Sequence, residues 1–410
     1  MDSISQVVLG AAVGEAVLGK KIGNRAMLWG AVAGTIPDLD VIGNLFMSEI
    51  DSLAFHRGVS HSLFFALIFS FFIAYYTRWL YSSGAYRNKK FRITGAVLAV
   101  AFMAIISFGI TFVANSLGNS LTGLLLALGA MGLTGYLAFR LYKHYVSHDP
   151  MEVDVSYKEW YIFFFLTIFT HPILDCFTVY GTQLWAPFSN TRVAWSNISV
   201  ADPLWTFPFA LCLVVAAVYS KSQKQRRIWL IAGWTLASSY MLFTIYNKSR
   251  VTKIMEETIL AEQIDYERFM VSPSILNNIL WSGTVETKET YYQGMYSFFD
   301  TEKKFKLVEI PKNEDLVDDD GQDKVLNTLK WFSDGYYGYI TRKDGRVQMN
   351  DLRYGSTNSS GSNTENDYVF RFVLVKDEAG KYQLSSADGG PAPGEEQKVF
   401  SRLMERIKGI

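Results

Sequence analysis

Three short stretches carry the residues able to do chemistry: PDLD at Pro37 to Asp40, FHRGVSHS at Phe55 to Ser62, and THPILDCFTVYG at Thr170 to Gly181. They contribute His56, His61 and His171 together with Asp38, Asp40 and Asp175. Imidazole plus carboxylate suits zinc first, with manganese or iron as alternatives, and such a set is large enough for one ion or for two acting on one bond. Calcium, which favours oxygen-only ligation, fits less well. His171 and Asp175 are four apart and share a helix face, while Pro172 frees backbone polar groups that only a protein-lined cavity tolerates. Asp38 and Asp40 diverge on a regular helix, but Pro37 interrupts it, so both carboxylates can turn toward one ion. His56 and His61 bracket Gly58 and Ser60, so a loop entering a helix brings both rings inward. Taken singly, PDLD is a capped helix start, a lone His a hydrogen-bonded core residue and HPxxD a kinked helix; only their joint occurrence points to a metal.

Hydropathy shows which segments carry these residues. The 410-residue chain is apolar up to about Tyr246 and polar afterwards. This predicts a multi-span α-helical membrane domain over 1–247, of about eight helices with some re-entrant, and a small soluble α+β domain over 248–410. The PDLD acids lie in a run otherwise apolar from Ala26 to Phe46, and ionised groups there call for a partner, a metal or a wet cavity. The second domain shows the alternating strands of YYQGMYSFF, GYYGYITR and YVFRFVLV, with helical patterns at Val251 to Phe269 and near the C-terminus. Net charge is zero, which gives no support to nucleic-acid binding as the main activity. Cys176 and Cys212 make neither a disulfide framework nor a CxxC site.

Lys and Arg collect in KKIGNR, YRNKKFR, RLYKHY and KSQKQRR, after alternate apolar runs. Positive charge marks cytoplasmic loops, so the three chemical motifs converge on the outer side, with the second domain. Among other polar residues, Arg57, Arg192 and Asn197 are suited either to clamping a phosphate or carboxylate or to anchoring at the headgroups. Glu15 reads as a structural partner or a group behind the ligands, and Asp202 as the cap of the following helix, with approach to the metal as the alternative.

The segments GTIPDLDVIG, FHRGVSHSLFF, HPILDCFTVYGTQLWAPFS and DPLWTFP, in this order and spacing, resemble the YdjM-like family of membrane-bound metal-dependent hydrolases over about the first two-thirds of the chain. The resemblance implies a multi-span hydrolase whose metal residues would fall on Asp38, Asp40, His56, His61, His171 and Asp175. One departure is Gln6, near a position where many members carry His, which puts a second metal in doubt. A distant similarity to zinc-dependent phospholipase C enzymes points to phosphoesters, and DLRYG resembles a tail of longer members. The expectation is therefore a hydrolase of a bacterial inner membrane, acting on a lipid or lipid-linked ester, with the bilayer and a lipid-like substrate as partners and oligomeric state open. Asp38, Asp40 and His61 would serve catalysis, and Arg57 would neutralise developing charge. No GxSxG motif supports a serine lipase. The alternative is a metal-ion transporter or channel using the same His/Asp cluster.

The orientation is testable by labelling. A cysteine placed in KSQKQRR should be shielded from an impermeant thiol reagent in intact cells, and one in GSTNSSGSN should react; the reverse pattern moves the site to the cytoplasm.

Overall fold

The computed structural model describes residues 1–116, 120–148, 152–356, 364–385 and 396–409. Helix α1 (Ser3–Ile22) starts at Asp2, whose carboxylate accepts from the N–H groups of Ile4 and Ser5, and it turns at Gly23 into α2 (Asn24–Thr35). Both helices carry G-x-x-x-G, at Gly10 and Gly14 and at Gly30 and Gly34. Here the two backbones touch. A Cβ at Gly10 would stand 2.3 Å from the Gly30 carbonyl oxygen, and one at Gly14 2.4 Å from that of Ala26. Small residues of this kind let helices approach without a layer of side chains between them.

The apolar run from Ala26 to Phe46 is not one helix. Pro37 opens a 3-10 segment, Pro37–Leu45, that carries both PDLD acids on a tighter winding. A short helix follows, α3 (Glu49–Phe55), capped by Ser48, and then α4 (Leu63–Ser82), α5 (Lys89–Ser116), α6 (Ser120–Leu141), α7 (Tyr157–Cys176), α8 (Pro203–Val218) and α9 (Lys224–Ala261). By length and composition α4 and α9 can cross a membrane, and α8 is apolar but shorter. The structure thus carries the expected count of about eight spans no further than these two. Residues Met1–Ser70 pack with Ile162 onward through the sheets as one compact unit, and Phe71–Tyr161 belong to a second. Within the second, the rings of Tyr81 and Trp160 stack 5.7 Å apart.

The C-terminal part holds two four-stranded antiparallel meanders. One is β1 (Arg268–Pro273), β2 (Leu280–Glu286), β3 (Thr290–Ser297) and β4 (Val308–Pro311). The other is β5 (Tyr337–Thr341), β6 (Val347–Asp351), β7 (Arg371–Lys376) and β8 (Tyr382–Leu384), with α10 (Lys324–Phe332) packed on it and α11 (Glu396–Ile407) at the end of the chain. The helix expected to reach Phe269 stops at Ala261. Gln263 takes a left-handed φ of 55°, and the Ile264 N–H donates back to the Ile259 carbonyl, a helix-ending turn that frees Arg268 to begin β1.

The boundary expected at 247/248 falls inside α9. Beyond its apolar stretch the same helix buries Val251, Ile254, Met255 and Ile259 against Trp281, Val285, Tyr296 and Phe305. A second tie is α3, whose Ile50 enters the core of the other sheet with Leu326, Leu329 and Tyr339.

Gly30→Ala should force α1 and α2 apart and destabilise the protein by about 1–3 kcal/mol. Thermal unfolding in detergent with metal analysis should show a lower Tm and reduced metal content, while Val32→Leu, on an exposed position, should leave both unchanged.

Candidate metal centre

The Gly34 carbonyl, at the end of the glycine contact, accepts from His171 Nδ1 at 2.5 Å. A carbonyl only accepts, so Nδ1 carries the proton and His171 Nε2 presents a lone pair. His61 reaches the same state by another route. Ser60 Oγ donates to Asp40 Oδ2 at 3.1 Å and lies 3.0 Å from His61 Nδ1, which assigns the imidazole proton to Nδ1 and the lone pair to Nε2. The two Nε2 atoms then face each other at 3.1 Å, both rings buried.

Two carboxylates meet this pair. Asp38 Oδ1 is 3.4 Å from each Nε2. Asp175 Oδ2 is 3.5 Å from His61 Nε2 and 3.4 Å from His171 Nε2, and it has no hydrogen-bond partner although it is buried. Donor atoms of Asp38, His61 and His171 all lie within 4.8 Å of one another, so this cluster could hold a metal ion. The chemistry of the set fits a divalent cation: lone pairs and carboxylate oxygens converge, and no donor hydrogen stands between them.

The other carboxylate oxygen of Asp175 is differently occupied. Oδ1 accepts from Gln6 Nε2 at 3.1 Å and from the Met1 amino group, and it lies 3.3 Å from Arg57 Nη2. One face of Asp175 is thus held by a guanidinium, an amino group and an amide while the other is turned to the imidazoles. Gln6 also donates to the His171 carbonyl at 3.2 Å. The departure from His at this position therefore lies against the cluster itself.

Asp40 and His56 stand one bond further out. Asp40 Oδ2 is 3.3 Å from His61 Nδ1 and accepts from the Arg57 backbone N–H at 2.9 Å, while Asp40 Oδ1 meets His56 Nδ1 at 2.9 Å. A carboxylate behind a ligating imidazole fixes its tautomer and its orientation. The His56 side chain is 30 % exposed, unlike the buried His61 and His171, and packs edge-on against Tyr180. Arg57 adopts a left-handed φ of 57°, a conformation that costs a non-glycine residue energy and needs support around it. Support comes from the segment after α7: Gln183 N–H donates to the Arg57 carbonyl, and Leu63 N–H to that of Leu184. The Arg57 guanidinium donates to Thr178 Oγ1 at 3.2 Å and lies over the Tyr180 ring.

The remaining polar residues sort by contact. Glu15 forms a buried pair with Arg226, whose Nε and Nη2 donate at 2.6 and 2.5 Å, so it is balanced away from the cluster. Asp202 caps α8 by accepting from the Leu204 N–H and also accepts from Tyr240. Asn197 donates to Thr244. Arg192 reaches the C-terminal part, where it donates to the Phe332 carbonyl at the end of α10 at 3.2 Å. Gly34 and Tyr180 belong to the surroundings of the site and are missed by a search for ligand-type side chains.

Removing a donor and removing its support should differ in size. His61→Ala and His171→Ala should each abolish bound metal in elemental analysis of purified protein. Asp40→Asn should weaken metal affinity about 10- to 100-fold without abolishing it. Equal loss in all three would place Asp40 among the ligands.

The alignment with the "Uncharacterized protein YfhP" of Bacillus subtilis (strain 168) is 28% identical over 198 residues, 47% of this chain and 57% of that protein, so it spans little more than half of the relative's length. No solved structure matches. Residues 1–251, which contain α1 to α8, most of α9 and every residue of the cluster, match the family described as YdjM inner membrane protein. The chain belongs to the YdjM inner membrane protein family.

Proposed function

We propose that this protein is a membrane-bound metal-dependent hydrolase acting on a lipid or lipid-linked ester, with a phosphoester favoured, at the outer face of the membrane. The observation that carries the reading is the convergence of His61 Nε2, His171 Nε2, Asp38 Oδ1 and the unpartnered Asp175 Oδ2 in one cluster, buried except at Asp38. Asp38, His61, His171 and Asp175 would hold the ion, and a mixed imidazole and carboxylate set favours zinc over manganese or iron. Such an ion supplies Lewis acidity, activating water near neutral pH and polarising a phosphoryl or carbonyl group.

The chain's own residues divide the remaining work. Asp40 keeps the His61 proton on Nδ1 and joins it to His56, the partly exposed imidazole, which is placed to take or give a proton at the edge of the site. Asp38, with its side chain 19 % exposed, is the ligand nearest to solvent and the one a substrate would meet. Arg57, its Nη2 3.3 Å from Asp175 Oδ1, balances the charge of that carboxylate from behind. Exposed Leu39, Val41, Ile42, Leu45 and Phe46 on and just after the 3-10 segment offer an apolar approach suited to acyl chains.

The alternative, ion transport, predicts polar groups continuing through the helical part. Glu15 is the main acid distant from the cluster, and its closed pair with Arg226 leaves it no free charge for a pathway. Purified protein should release product from bacterial lipid extracts only when metal is present, and His171→Ala should show none. Metal flux into liposomes without turnover of any lipid would replace the hydrolase reading with the transporter.

A further inference from the structure

Tyr180 has a second environment, on the side away from the cluster. Together with Arg192, Lys248, Arg268 and Arg353 it lines a cavity of about 350 Å³, in which the one lining carboxylate, Asp334, is exposed. Two of the four cations are already balanced. Arg353 is paired with Asp351 through Nη2 to Oδ2 at 2.6 Å, and Arg268 with Glu286 at 2.5 Å. The other two are not. Arg192 donates to the carbonyls of Phe332 and Tyr180, Lys248 Nζ to that of Trp195 at 2.5 Å, and neither meets a carboxylate among the described residues.

Carbonyls orient a cation without neutralising it, so a net positive charge remains in a concave space. Arg192 is also fixed in place, with its guanidinium 4.5 Å from the centre of the Tyr180 ring, 4.8 Å from Phe332 and 5.3 Å from Trp331. Burial and the neighbouring Arg353 lower its pKa to about 10, which leaves it charged at neutral pH. A planar, pre-oriented guanidinium beside an ammonium suits a tetrahedral oxyanion, since the fork can donate two parallel hydrogen bonds and little side-chain freedom is lost on binding.

We infer that this cavity is an anion site that takes a phosphate group through Arg192 and Lys248. Its wall is shared with the metal centre, because the Tyr180 ring also contacts His56 and lies under Arg57. On the hydrolase reading, which this step depends on for its role only, the site holds a substrate's anionic headgroup while the scissile ester lies at the cluster.

The test uses the full chain in detergent, stripped of metal by chelation, and titrates inorganic phosphate by calorimetry. Saturable binding should survive both metal removal and His171→Ala. Arg192→Gln should weaken it at least about tenfold, the scale of one lost charge-assisted hydrogen bond. Ala194→Asp, which adds a carboxylate at an exposed lining position and leaves the Arg192 contacts in place, should do the same. Short-chain phosphatidate that competes with phosphate and binds more tightly would identify a lipid headgroup, and inorganic phosphate binding alone would identify the free ion; both outcomes uphold the site. Absent binding, binding indifferent to both substitutions, or binding lost on metal removal would overturn it. Phosphate binding that stands while no lipid is ever hydrolysed would remove the hydrolase reading and keep the anion site.

Discussion

Two imidazole nitrogens held 3.1 Å apart, each presenting a lone pair, are the constraint around which the helical part is arranged. Such atoms repel, and the two nearby carboxylates add to the negative potential in surroundings from which water is removed. A cation among them would be attracted to every one of these atoms and would outweigh their mutual repulsion. The free energy of binding such an ion would then be largely the free energy that keeps the cluster assembled.

That arrangement is held from several directions. The glycine contact between α1 and α2 brings the Gly34 carbonyl within reach of His171, which no helix pair separated by ordinary side chains would do. The 3-10 segment turns Asp38 toward the imidazoles and Asp40 toward the back of His61, so two acids two residues apart act in successive layers. The loop after α7 grips the strained backbone at Arg57, and Arg57 in turn holds Asp175. A change in any of these supports would be felt at Nε2 without touching a ligand.

The sheet-containing part is joined to this assembly through side chains rather than by a linker. Helix α9 runs without a break from its apolar stretch into the core of the first sheet, and α3, which ends immediately before His56, places Ile50 in the core of the second. Trp331 donates to the Asn190 carbonyl and Arg192 to that of Phe332, so the loop carrying Tyr180 is also fixed from the sheet side. The DLRYG segment finds a physical role here, since its Asp351 balances Arg353, whereas Arg192 meets no carboxylate among the described residues.

Features set by neighbours within a few residues are legible in the sequence. Pro37 ends α2, Asp202 caps α8, alternation marks β3, β5 and β7, and the polar motifs stand out because they interrupt apolar runs. Even the helix contact was legible, as G-x-x-x-G in both partners. Only the tertiary structure decided which donor atoms meet. His171 and Gly34 are 137 residues apart and His61 and His171 are 110, and the tautomer of each ring depends on such a partner, not on its own motif. For the same reason His56 and Asp40, indistinguishable from the other His and Asp residues as letters, stand behind His61, and the unpaired charge of Arg192 becomes visible only once the carboxylates of a distant sheet are seen to serve its neighbours. Residue type and spacing specify chemistry that is possible; long-range packing specifies which lone pairs face one another and which charges remain unbalanced.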